Sequence, residues 1–480
     1  MKKIQNRTKF CVVLCFLFVA GLMIFIIEYL LNLNTWTLEN YYAAIGYNPV
    51  QNTEIIRRSN GLRQYYTDDT NSEKLYVRGS IEDANGNFLV SVDENGITYC
   101  DDSSVRTAML HATGDKYYMI STGALSSLSN YFSRYTTVGG EYKATDMGNT
   151  VQLTMSSDIN KVALKAFGKY KGCLGIYNYK TGEILCMVST PSYDPVNIPS
   201  DIATNSAYEG AYINRFFSST FTPGSTMKTV TLEAAIDTVK DLNDKRFTCT
   251  GEMTINKQVV HCTGVHGTQS VDVAYANSCN CAFAQISALI DRETLMNVVN
   301  NGVLTSSITI DGSIETAAGS FDIMDDNDFQ FAWTCIGLHH NLVNPCSMMM
   351  YVGAVANGGV AAIPTSLKSV TDVNGNVIAT TQTNYTGQLI NPDTADTMRA
   401  LMINNTVNHQ SHFGTWRFNM EIGAKTGTVN RAQGGVNGWF AGFVSDPDHP
   451  YAFICYAENS TSGMNVPGGI VATVLNEMIK

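Results

Sequence analysis

Three short stretches of this 480-residue chain carry side chains whose types and spacing suit nucleophilic chemistry on a carbonyl. The first is PGSTMKTV, residues 223–230, in which Ser225 and Lys228 lie three positions apart. Thr222 is a candidate N-cap and Pro223 suits the first helical position. Ser225 then falls in the first turn, where backbone N–H groups lack intrahelical acceptors and one can face a developing oxyanion. Lys228 is on the same helix face. A lysine that is to act as a base must lose its proton near neutral pH. Moving its pKa from about 10.4 to about 7.5 takes roughly 4 kcal/mol of bias against the charged form, which burial supplies. Alone, Ser-x-x-Lys also describes an ordinary helix start with a surface lysine.

The second stretch is NSCNCAF, residues 277–283, where Cys279 separates Ser278 from Asn280. A second hydroxyl beside a Ser–Lys pair can relay a proton to a leaving amine. An amide can hold a peptide-like ligand through donor and acceptor together. Equally, Ser278 or Asn280 could cap the helix that CAFAQISALI (281–290) predicts. The third is AKTGTVN, residues 424–430. In a strand, Lys425 and Gly427 share one face and Thr426 and Thr428 the other. Gly427 leaves room for a ligand's backbone. Lys425 brings positive charge, and Thr428 a hydroxyl and an N–H, groups that suit a carboxylate and half of an oxyanion hole. The plainer reading is an edge strand whose lysine deters pairing with other chains.

These stretches need elements to position them. Met227, Val230, Leu232, Ala234, Ala235, Ile236 and Val239 cover most of a helix circumference, which predicts a buried helix after Ser225. CLGIYNYKTGEILCMVS (173–189) reads as two strands around a Lys-Thr-Gly-Glu turn. EIGAKTGTV (421–429), GWFAGFVS (438–445) and YAFICYAE (451–458) read as three more, and GIVATVLNEMIK as a closing helix. Strands at both ends with helices between them predict one sheet built from both ends of the region. Residues 77–147, with short apolar runs broken by Asn85-Gly86, Glu94-Asn95-Gly96 and Gly139-Gly140, predict a small strand-rich module.

Charged residues make up only 15% of the chain, and the formal charge of −11 argues against nucleic-acid binding. Phe10 to Ile27 is an unbroken apolar or small-residue run, long enough to approach a bilayer span. Lys2, Lys3, Arg7 and Lys9 precede it and the next basic residue is Arg57, so the positive-inside rule predicts a cytoplasmic N-terminus. The run exceeds a usual signal-peptide core, and no clear A-x-A site follows. The expected organisation is a cytoplasmic tail (1–9), a transmembrane anchor (10–31), an N-terminal module (32–147) and a main domain (148–480). Ten of twelve cysteines would then face an extracytoplasmic space where disulfides persist. Cys249 and Cys262 close a short loop and are the candidate pair. Cys249, His261, Cys262 and His266 offer zinc-type ligands, but adjacent His-Cys ligands are unusual spacing, so no metal site is assigned.

Ser-x-x-Lys, Ser-x-Asn and Lys-Thr-Gly in this order are the signature of penicillin-binding proteins and class A β-lactamases. Their separations here, 53 and 147 residues, also resemble that superfamily. Residues 148–480 resemble the transpeptidase domain of a class B penicillin-binding protein. GEILCMVSTPSYDP (182–195), NRFFSSTFTPGSTMK (214–228), HGTQSVDVAYANSCN (266–280) and VGAVANGG (352–359) carry the likeness further. RGSIEDANGNFLV (78–90) is similar to the Arg-Gly-x-Ile-x-Asp-x-Asn-Gly stretch of the pedestal module in that class.

The resemblance implies an α+β fold: a mainly antiparallel five-stranded sheet flanked by helices, plus an all-helical lobe. It implies Ser225 as the acylated nucleophile, Lys228 as its base, Ser278 as a proton relay with Lys425 beside it, and Asn280 holding the substrate amide. Thr426, Gly427 and Thr428 would line the substrate, with Thr428 near its carboxylate. The N–H groups of Ser225 and Thr428 would form the oxyanion hole. The implied activity is a membrane-anchored D,D-transpeptidase that cross-links peptidoglycan stem peptides ending in D-Ala-D-Ala and is trapped by β-lactams. No cofactor is implied, and a SEDS-type glycan polymerase is the implied membrane partner. A D,D-carboxypeptidase, a β-lactamase or a β-lactam sensor would share these motifs. Two positions depart from the family pattern: Gly337-Leu338-His339 replaces a frequent Gly-Gln-Gly, and Ala424 precedes Lys425 where Gly is frequent.

Overall fold

The computed structural model describes residues 2–31, 65–67, 73–75, 79–93, 96–132, 148–407, 417–431, 434–461 and 465–480. The chain divides into two compact units. The smaller comprises Met1–Gly79, Val92–Gly96 and Ser129–Asn149. Its described parts include a helix, Lys2–Leu31, and a short antiparallel pair, Tyr65–Thr67 with Glu73–Leu75. The helix contains the apolar run, and its side chains from Val13 to Ile27 are exposed. Among the described residues no helix is long and apolar enough to cross a membrane. Most of the expected stalk, residues 32–64, lies outside the described residues, as does the turn signal Gly139-Gly140.

The larger unit is built on a five-stranded sheet. Its strands are β1 (Gly172–Asn178), β2 (Ile184–Thr190), β3 (Ile422–Asn430), β4 (Val436–Val444) and β5 (Tyr451–Ser460), in the order β3-β4-β5-β1-β2. Every pairing is antiparallel, and the sheet joins both ends of the region. Six helices frame it or the site. They are α1 (Ser157–Phe167), α2 (Met227–Thr238), α3 (Asn280–Ser287), α4 (Pro345–Ala356), α5 (Pro392–Val407) and α6 (Pro467–Met478).

Period-two alternation sends Leu174, Ile176, Cys186, Val188, Phe440, Phe453 and Cys455 into one core with Phe167 of α1 and Val471 and Leu475 of α6. Helix α4 is buried from Pro345 to Val355, packs against β4 and β5, and is capped by Asn344, whose side chain accepts from Ser347 N–H. Helix α2 is buried over every residue from Met227 to Ala235, so no solvent-facing stripe is left.

Two expectations need correction. The lobe between α2 and α4 is not all-helical. Three two-stranded pieces are interspersed with its helices, including the hairpin Glu252–Ile255 with Gln258–His261. That hairpin turns on Asn256 and Lys257, both at positive φ, a pairing that carries no glycine to announce it. Residues 77–147 are not purely strands either. Strands Gly79–Glu82, Phe88–Asp93 and Gly96–Tyr99 join a six-stranded sheet with Asn149–Leu153, Leu367–Thr371 and Val377–Thr380, and a helix, Ser103–Thr113, follows them. Asp102 starts that helix by accepting from the N–H groups of Ser104 and Val105.

Candidate active site

Among the described residues strand β3 is the edge of the five-stranded sheet and pairs with β4, with Lys425 opposite Ala441 and Gly427 opposite Trp439. Against it lies the turn that starts α2. The segment before the turn is held by Phe221, which exchanges backbone hydrogen bonds with Val343 and stacks on Tyr456 at 3.8 Å. Trp439 Nε1–H donates to Thr222 O at 2.9 Å. The expected cap at Thr222 is not made: the cap positions are Pro223 and Thr226, and neither carries a side-chain cap bond. Gly224–Thr226 forms a 3₁₀ turn and α2 begins at Met227.

Gly224 has φ +57° and donates its N–H to Gly337 O at 2.9 Å. Gly337 has φ +90°, and a Cβ there would lie 1.9 Å from Gly224 O. The first glycine of the departing Gly-Leu-His segment is thus sterically required, while His339 pairs with Asp326 at 3.3 Å. Gly427 likewise makes room for the protein itself: a Cβ would meet Pro223 O at 2.6 Å and Trp439 Cβ at 3.0 Å. Ala424, the other departure, is buried in the core, and its carbonyl accepts from Asn405 Nδ2 at 2.7 Å.

The third stretch arrives from the lobe. After the helix Val271–Ala276 the chain reverses at Ser278, whose φ is +50°, an uncommon conformation for a residue with a side chain. Cys279 then caps α3, its sulfur accepting from Ala282 N–H at 3.4 Å, so neither Ser278 nor Asn280 is the cap.

The turn, the reversal and the edge strand bring five side chains together. Lys228 Nζ lies 2.9 Å from Ser225 Oγ, 2.7 Å from Ser278 O, 3.2 Å from Ser278 Oγ and 2.7 Å from Asn280 Oδ1. Lys425 Nζ lies 3.0 Å from Ser278 Oγ and 3.2 Å from Thr426 O. Asn280 Nδ2 donates to His261 O at 2.9 Å, which leaves its second N–H and a second lone pair on Oδ1 for a ligand. Thr428 is exposed on the same strand and Thr426 half-buried.

Both lysines are fully buried, and among the described residues neither has a carboxylate partner. Burial pulls Lys228 down to about 7. Burial, then the charge of Lys228, holds Lys425 well below the ordinary lysine range. Near neutral pH a substantial share of Lys228 is therefore a free amine. Ser278 O and Asn280 Oδ1 can take its two N–H bonds, which turns its lone pair toward the Ser225 hydroxyl. Such an arrangement can deprotonate a serine as it attacks a carbonyl. Sequence reasoning missed Gly224 and Trp439, which shape the turn, and met Gly337 only as part of a segment that departs from the family pattern. The Pro-Gly pair at 223–224 was a visible signal of the turn.

The cysteines also depart from expectation. Cys249 and Cys262 are both free thiols, so the disulfide expected between them is not formed. Of the zinc-type residues, Cys249, Cys262 and His266 do converge, but with Cys279 rather than His261. His261 is 76% exposed and faces Glu252 at 3.5 Å.

Comparison with known proteins agrees with this fold. Stage V sporulation protein D of Bacillus subtilis is 26% identical over 341 residues, covering 68% of this chain and 51% of that protein. Peptidoglycan D,D-transpeptidase PbpA of Mycolicibacterium smegmatis is 26% identical over 352 residues, covering 68% and 70%. The chain thus spans about half of the first relative and about two thirds of the second. The crystal structure of PBPA from Mycobacterium tuberculosis superposes with a TM-score of 0.71 at 20% identity, over 84% of this chain and all of that one. A family model of the penicillin binding protein transpeptidase domain matches residues 172–480, the stretch that holds the whole sheet and all three motifs, so the chain belongs to the penicillin-binding protein transpeptidases.

Proposed function

We propose that this protein is a membrane-anchored, class B D,D-transpeptidase that cross-links peptidoglycan through an acyl-enzyme on Ser225. The observation that carries the reading is the 2.9 Å approach of a fully buried lysine, its pKa lowered by burial to about 7, to Ser225 Oγ. Ser225 Oγ attacks the carbonyl of the penultimate D-alanine of a donor stem peptide, and its proton passes to Lys228 Nζ. The N–H groups of Ser225 and Thr428 receive the charge that builds on the carbonyl oxygen. The C–N bond breaks, and the terminal D-alanine leaves with a proton returned from Lys228 through Ser278 Oγ, which Lys425 orients. An amine of a neighbouring stem then attacks the ester, the new amide forms, and Ser225 regains its proton.

The outer edge of β3 suits an extended peptide, which can add to it as a further strand. Asn280 would hold the donor's amide, Thr426 and Gly427 would line its backbone, and Thr428 would meet its carboxylate. A β-lactam traps Ser225 because its leaving nitrogen stays tethered in the opened ring. Anchoring rests on the apolar run Phe10–Ile27 and its exposed helix, with the basic residues on its N-terminal side placing residues 148–480 outside the membrane. By resemblance, a SEDS-type polymerase would supply the glycan strands.

The test is intact mass of the detergent-purified full chain after incubation with penicillin G. A persistent one-to-one adduct on the wild type and none on Ser225→Ala is the expected result. An undiminished adduct on Ser225→Ala, or rapid turnover of the penicillin, would overturn the assignment.

A further inference from the structure

We infer that Cys249, Cys262, His266 and Cys279 form a structural zinc site, and that it braces the Ser278–Asn280 turn from behind. One ligand atom from each residue falls in a group whose members all lie within 4.8 Å of one another. Three of the six ligand–ligand distances match the edges of a tetrahedron around zinc. Zn–S bonds of about 2.3 Å and a Zn–N bond of about 2.0–2.1 Å give S···S edges of about 3.8 Å and S···N edges of about 3.5–3.6 Å. Cys262 Sγ and Cys279 Sγ are 3.8 Å apart, and His266 Nδ1 is 3.5 Å from both Cys249 Sγ and Cys262 Sγ.

Local structure explains how four residues scattered over 31 positions meet. Strand Phe247–Cys249 pairs with Gly267–Gln269 so that Cys249 sits opposite Gly267, next to His266. The hairpin Glu252–Ile255 with Gln258–His261 returns the chain to Cys262, whose N–H donates to Gly251 O. The cap of α3 supplies Cys279.

The Ala282 N–H donates to Cys279 Sγ at 3.4 Å, which fixes that sulfur facing the other three ligand atoms. Three soft sulfurs and one imidazole in a tetrahedron suit zinc over the harder divalent ions. Four protein ligands leave no open position, which marks a structural site rather than a catalytic one.

The site bears on the reaction through one residue. Cys279 stands between Ser278 and Asn280, the two residues whose oxygens surround Lys228 Nζ. Ser278 holds a left-handed conformation that persists only when its surroundings impose it. A metal bond to the next residue supplies that constraint and ties the reversal to the 249–266 loops. Cys279 and its co-ligands are thus positioning residues, and this part of the inference rests on the transpeptidase reading.

The metal itself is tested without any activity. Elemental analysis of the full chain, purified in detergent without chelator, should find about one zinc per chain. After stripping, Co²⁺ titration should give the visible bands and thiolate charge-transfer absorption of a tetrahedral S₃N site. Cys249→Ser and His266→Ala should each lower metal content at least about fivefold, and His261→Ala should leave it unchanged. A wild-type chain that takes up neither Zn²⁺ nor Co²⁺ would overturn the site, as would a Cys262–Cys279 disulfide by mass. Full metal content in Cys249→Ser and His266→Ala, or its loss in His261→Ala, would overturn the ligand set. Stripping should also slow penicillin acylation by about tenfold or more, restored by Zn²⁺ and not by Mg²⁺. Acylation unchanged by stripping would overturn the bracing role while leaving the acyl-enzyme assignment untouched.

Discussion

The two walls of the candidate site are built differently. On the sheet side, Lys425, Thr426 and Thr428 stand on a strand registered to its neighbour over nine consecutive pairs, and the Ser225 turn is clamped to it by Trp439, Val343 and Gly337. On the lobe side, Ser278 and Asn280 stand on a reversal between two short helices, with Ser278 at positive φ and the nearest strands only three or four residues long. The sheet side owes its precision to register and close packing. The lobe side has no comparable scaffold and relies on local contacts behind it, where the cysteines and His266 gather. A reaction that moves a proton between Ser225, Lys228 and Ser278 needs both walls fixed to within a fraction of an ångström.

That contrast can be broken from either side. The largest effect belongs to Ser225→Ala, which should cut penicillin acylation on the order of 10⁶-fold, to no detectable adduct. Next is Gly337→Ala on the sheet side. Its Cβ would press on Gly224 O in a turn that also needs positive φ, so the Ser225 turn must shift. Acylation should fall about 100-fold in a stopped-flow assay while the circular dichroism spectrum stays folded. An unchanged rate would mean the clamp on the turn is not what places Ser225. The smallest effect is expected for Trp439→Phe, which keeps most of the ring but loses the bond to Thr222 O. Urea unfolding should show about 1 kcal/mol lost, with acylation reduced only a few-fold.

Legibility in the sequence followed the same divide. The five strands, their assembly from both ends of the domain and the buried helix after Ser225 were readable because each rests on local periodicity. Ser225 and Lys228 were readable because their spacing is one helical turn. What was not readable depends on contacts between distant residues. Gly224, at positive φ, packs and hydrogen-bonds against Gly337, more than a hundred positions away. On its Cβ side Gly427 makes room for Pro223 and Trp439 rather than for a ligand, a close approach that its spacing in the sequence does not announce. His261 looked like a metal ligand because it adjoins Cys262, yet strand alternation turns it to solvent, and the fourth ligand is Cys279 from another element. The helix Ser103–Thr113 was hidden among turn signals, although Asp102 was a fair start signal.

The central claim is that a buried, neutral Lys228 activates Ser225, and the pH dependence of acylation tests it most directly. Burial lowers Lys228 to about 7, so the amine is free above that pH and protonated below it. The groups that face it are Lys425, whose own charge Lys228 disfavours, and the thiols of Cys262, Cys279 and Cys281, which as thiolates would favour the charge on Lys228. The second-order rate constant for penicillin acylation of the full chain should therefore rise with pH through a midpoint near 7. Below the midpoint it should fall about tenfold per pH unit. A rate that is flat between about pH 5 and pH 8.5, or that rises toward acid, would contradict the account.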